Sequence, residues 1–107
     1  MVLPTKPELW IGLVEVRPFD RKAYGAAGAF TNIVTWACDV EGFRKKAEII
    51  AATMDMCVAD IEEAEPLAER IKKLTLTEEI DEMVVRAESN PNAIVYGTFH
   101  TYRRDEA

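Results

Sequence analysis

Histidine is nearly absent from this chain of 107 residues: His100 is the only one, and Cys38 and Cys57 are the only cysteines. Two thiols so widely spaced exclude a C-x-x-C redox pair or a zinc cluster, and they read as small apolar residues of the interior. Long apolar runs are missing too. Nothing approaches the roughly 20 residues of a membrane-spanning helix, and the opening MVLPTKPELW has neither the basic start nor the apolar stretch of a secretion signal. The expected location is therefore cytoplasmic. The glycine-containing stretch AYGAAGAF lacks both G-x-G-x-x-G and G-K-[ST] and leads into a strand, which removes the phosphate-loop reading. There is no internal repeat and no low-complexity tract.

What is present is an ordinary globular composition, 49% hydrophobic and 30% charged. A chain of this length supports one core, so we expect a single domain over residues 1–107 with flexible tails at 1–7 and 103–107. The net charge of −6 is unevenly shared: residues 1–53 carry seven Lys/Arg against six Asp/Glu, and residues 54–107 carry six against thirteen. An acidic second half repels phosphate and argues against nucleic acid as a partner. It suits a basic protein surface. No cofactor, metal or membrane partner is expected.

Periodicity places strands at 8–17 (ELWIGLVEVR) and 29–38 (AFTNIVTWAC), joined by a loop over 18–28. Asp39 stands as the N-cap of a helix whose apolar stripe is Val40, Phe43, Ala47, Ile50, Ala51 and Met54. MCVADI at 56–61 reads as a third strand, parallel to the second through a helical crossover. Two helices follow, one opening at Pro66 with Glu62, Glu63 and Glu65 at its positive end, the other at a Thr75–Glu78 capping box. Asn90-Pro91-Asn92 stops the second, and residues 93–102 form a last strand. The order ββαβααβ predicts an α+β two-layer sandwich: a four-stranded mixed sheet with helices on one face, in a ferredoxin-like plan.

Such a plan leaves one sheet face open. Strict alternation puts Ile94, Tyr96, Thr98, His100 and Tyr102 together on the last strand, and Thr31, Ile33 and Thr35 beside them on the second. The candidate interaction face is therefore Tyr96, Thr98, His100, Tyr102, Ile33 and Thr35, with Lys22 and Tyr24 as a candidate contact loop. Aromatic, imidazole and hydroxyl groups supply contact area and directed hydrogen bonds.

Chemistry finds little support. His100 has no evident nucleophile or carboxylate partner, and Cys57 begins an apolar strand where a thiolate is disfavoured. Asp60, Glu62, Glu63 and Glu65 lack the orienting glycine of a calcium loop, and Arg44-Lys45-Lys46 is too short for a nucleic-acid patch. The expected function is thus non-enzymatic: binding of a protein partner, or of a second copy in a homodimer, through the open face. Bacterial immunity proteins share this size and acidity, a likeness of bulk properties with no motif behind it. The alternative is a small-molecule binding or regulatory domain, or a weak enzyme, with a pocket near the 18–28 loop lined by Tyr24, Tyr96, His100 and Tyr102.

Overall fold

Two long strands, β1 (Glu8–Pro18) and β2 (Gly28–Ala37), pair antiparallel from Glu8↔Ala37 to Val16↔Ala29 and form the centre of the sheet. The structure is a computed structural model that describes residues 6–20 and 25–102. Helix α1 (Val40–Thr53) follows, then strand β3 (Met56–Pro66), helices α2 (Leu67–Lys73) and α3 (Glu78–Glu88), and short strands β4 (Ile94–Tyr96) and β5 (His100–Tyr102). The protein is α+β with an antiparallel sheet and three helices among the described residues, in the expected element order.

Three expectations need correction. The sheet is not mixed: β3 runs antiparallel beside β1, and every pairing is antiparallel in the order β3-β1-β2-β4. The chain leaving β2 crosses over β1 before re-entering the sheet, so β2 and β3 are never neighbours. The described sheet has five strands rather than four, because the last strand breaks at residues 97–99 into β4 and β5, both paired with β2. Finally, the helices occupy both faces. Phe43, Ala47 and Ala51 of α1 pack on Val14, Val16, Ile33 and Ala37, whereas Met83 and Ala87 of α3, with Leu67 of α2, pack on Ile11 and Val34. Adjacent strand residues point to opposite faces, so these are two separate cores. The ferredoxin-like plan, with its helices on one face, does not extend to this arrangement.

The physical reason lies in β1 and β2. Runs such as WIGLV and NIVTW are apolar on both faces, the mark of a strand buried from both sides rather than half exposed. Gly12 marks a close approach of helix and sheet. A Cβ there would fall 2.8 Å from Cζ of Phe43, so the missing side chain is what lets the ring approach the strand this closely.

Local signals were sound at several element ends. The Asp39 carboxylate accepts from the Gly42 amide at 2.7 Å. The cap of α3 is Thr77, whose hydroxyl accepts from the Ile80 amide at 3.2 Å, rather than Thr75. Pro66 closes β3 and caps α2 from outside, and the acidic residues 60–65 belong to a strand rather than a helix start. Charges on an edge strand discourage pairing with another chain. Both cysteines are exposed, not interior, and stand at opposite ends of β1: Cys57 beside Arg17, and Cys38 just past the Ala37–Glu8 pair.

Edge strand β3 carries two register irregularities against β1, between Ile11 and Leu13 and between Glu15 and Val16. Glu63 sits at the first with φ +54, and its carbonyl accepts from Arg70 Nη2 at 2.7 Å. Arg70 is buried and also binds Glu65 at 2.5 Å, which fastens α2 to the strand. The left-handed backbone disfavours a side chain. Glu63→Gly is expected to raise the unfolding free energy by about 0.5–1 kcal/mol in urea titration, and a loss of stability would contradict the bulge geometry.

Candidate functional site

Helices α2 and α3 cover only one end of their sheet face. Ile11, Val34 and Val95, directly opposite one another on β1, β2 and β4, lie beneath them. Beyond the N-terminal end of α3 no helix among the described residues covers the same face. One row across it is Asp60, Glu15, Phe30 and His100, contributed by β3, β1, β2 and β5. A neighbouring row holds Glu62, Leu13 and Asn32, and on the other side Arg17 lies beside Cys57 and Tyr102 beside Gly28. Paired residues share a face, so these side chains form one surface.

Tyr102 organises it. Its ring packs on Phe30 with centroids 5.6 Å apart and spans Gly28, where a Cβ would lie 2.5 Å from the phenol oxygen. Crossing at the glycine lets the Tyr102 hydroxyl donate to the Glu15 carboxylate on β1. That hydrogen bond, followed by partial burial, raises the Tyr102 pKa. Arg17 stands 3.4 Å from Glu15, and its own pKa is raised first by the hydrogen bond with Tyr102. The result is a phenol, a carboxylate and a guanidinium locked together on an aromatic floor. At the border, Thr98 donates its hydroxyl (2.7 Å) and its amide (3.1 Å) to Glu79 of α3.

The six residues expected on one face are divided. Tyr96 pairs with Ile33 and Ile94 with Thr35 on the α1 side, whereas His100 and Tyr102 lie on the opposite side. Between Tyr96 and His100 the last strand advances one residue more than β2 does between Ile33 and Phe30. That bulge reverses which face each side chain takes. Ile33 and Thr35, expected to be open, are 1% and 0% exposed beneath α1. Thr31 and Thr35 tolerate this because their hydroxyls donate to the carbonyls of Gly97 (3.1 Å) and Ala93 (2.7 Å). Tyr96 is exposed at the edge, against Phe99. Lys22 and Tyr24 lie outside the described residues.

Leu13, Glu15, Arg17 and Phe30 also belong to this surface, and alternation along the last strand does not single them out. Their signal was present: the pairing of Glu15 with Phe30 follows from extending the β1–β2 hairpin in register. Cys57 and His100 are separated by β1 and β2, with successive strands about 4.8 Å apart, so they cannot act as a catalytic pair. Among the described residues no group of three His, Cys, Asp or Glu is placed to hold a metal ion. No described helix is long and apolar enough to cross a membrane.

The pocket expected near the 18–28 loop has a counterpart of about 310 Å³, on the α1 side, lined by Ala29, Met54, Met56, Phe99 and Thr101. Tyr96, His100 and Tyr102 do not line it. Comparison with protein-family models, curated proteins and solved structures finds no match to this chain.

Glu79 gives the border a pH dependence. The hydrogen bonds from Thr98, with a smaller contribution from the charge of His100, hold its pKa below the ordinary glutamate value. A depressed carboxylate pKa adds stability above the unfolded value and loses it as pH falls through the folded one. Wild type is therefore expected to lose stability faster than Glu79→Gln on acidification below the ordinary glutamate pKa. Parallel curves would show that Glu79 is not ionised against Thr98.

Proposed function

We propose that this chain is a non-enzymatic binding domain that holds the basic surface of a separate protein against the uncovered half of its sheet. The observation that carries the reading is the Phe30–Tyr102 pair on a face whose other end is covered by α2 and α3. Aromatic side chains with a fixed polar tip are the usual anchors of protein interfaces. Among the described residues, Asp60 and Glu62 on β3 and Glu79 on α3 stand around them, all exposed, and Arg17 is paired with Glu15. An acidic rim around an aromatic centre favours a basic partner and speeds its encounter.

Self-association fits less well. A two-fold dimer through this face sets the acidic rim of one copy against that of the next. The reading keeps the likeness in size and acidity to immunity proteins, small cytoplasmic domains that act by covering another protein.

Affinity capture from the native host with immobilised wild type and Phe30→Asp tests it. The expected result is a basic protein retained in stoichiometric amount by wild type, released by salt and lost with the variant. Equal retention by both, with the variant folded, would overturn the reading.

A further inference from the structure

At the far end of the sheet, away from the Phe30–Tyr102 surface, a cavity of about 580 Å³ opens where β2 runs into α1. Its size falls within the roughly 300–1,000 Å³ of small-molecule sites. Among the described residues three rings bound it: the planar indole of Trp36 from β2 and the apolar pyrrolidines of Pro7, ahead of β1, and Pro91, in the turn after α3. The indole is fixed, because Trp36 Nε1 donates to the Ala87 carbonyl of α3 at 2.7 Å. Ala37 and Gly42 add small apolar surface, and Cys38 contributes an exposed thiol.

Among the described lining residues the charged groups are both cations, Lys6 and Lys46. Lys46, a lining residue, gives one hydrogen bond from its Nζ to the Trp36 backbone carbonyl at 2.5 Å, which fixes the ammonium. An ammonium has three donors, so two remain for a ligand. The nearby Asp39 carboxylate does not line the cavity and is committed to the Gly42 amide at 2.7 Å. A flat apolar body with a cation held at its edge matches one ligand class.

We propose that this cavity binds a small planar aromatic carboxylate, its ring between Trp36 and the two prolines and its carboxylate on Lys46. Such a ligand is small, acidic and chemically unlike a protein partner. The proposal stands or falls separately from the interaction surface, with which it shares no residue.

The test uses 1-naphthoate and its neutral counterpart 1-naphthalenemethanol as probes, followed by amide and indole NMR shifts on the whole chain. The expected result is saturable shifts at the Trp36 indole and the Cys38 and Gly42 amides. Naphthoate should bind at least tenfold more tightly than the alcohol, a preference removed by Lys46→Met and kept by Lys46→Arg. A second readout needs no variant: naphthoate should slow the reaction of Cys38 with a thiol reagent while leaving that of Cys57 unchanged. Absence of saturable shifts at millimolar naphthoate, equal binding of acid and alcohol, or equal effects on both thiols would each overturn the proposal.

Discussion

Replacing Phe43 by Ala is expected to lower the unfolding free energy by about 3–5 kcal/mol, the range of fully buried aromatic truncations. The ring is 0% exposed, lies over Gly12 and sits 6.5 Å from the ring of Trp10, so α1 has no second residue of that volume on the sheet. Against a typical total of about 5–15 kcal/mol, the loss removes a large share of the stability. Urea or thermal unfolding measures it, with Ile49→Ala as the control: Ile49 lies on the outer side of the same helix, is exposed, and should change stability by only about 0.5 kcal/mol. A Phe43→Ala loss below about 1 kcal/mol would contradict the packing of α1 on this face.

Loss of the Phe30 or Tyr102 ring should act on binding instead. Phe30→Ala and Tyr102→Ala are each expected to weaken the partner complex by about 30-fold or more, the scale of interface anchors. Their rings are 5.6 Å apart, so the double variant should lose less than the two single losses combined. Tyr102→Phe keeps the ring and removes the hydrogen bonds of its hydroxyl with Glu15 and Arg17. It should cost less than Tyr102→Ala, and the difference isolates what the Glu15–Arg17 anchoring adds. Calorimetry or interferometry with the captured partner reads all four. Single variants within threefold of wild type would place the interface elsewhere.

These two residues show where the sequence was readable and where it was not. Elements set by short-range chemistry were visible: the Asp39 cap, the Phe43–Ala47–Ala51 stripe and the stop at Asn90-Pro91-Asn92 each act within one or two turns. The face of the last strand was not visible, because one bulge residue between Tyr96 and His100 inverts the alternation and leaves no periodic trace. Thr31 and Thr35 misled for a related reason. Their hydroxyls looked like solvent-facing groups, but their acceptors are Gly97 and Ala93, more than fifty residues away in the chain. The two-sided burial of β1 and β2 was legible in their continuous apolar runs, and reading it would have placed helices on both faces.

His100 and Tyr102 lie on a surface that no described helix covers, with Thr98 at its border, even though Tyr96, Ile33 and Thr35 do not join them there. That surface is smaller than a whole sheet face and includes β1, whose Glu15 and Arg17 give Tyr102 its fixed position.

The most direct measurement is photocrosslinking in the native host with benzoylphenylalanine in place of Phe30, with the same group at exposed Val85 as control. The account predicts one discrete adduct from position 30 with a basic protein of the host and none of that mass from position 85. An adduct with a second copy of this chain, or the same pattern from both positions, would contradict it.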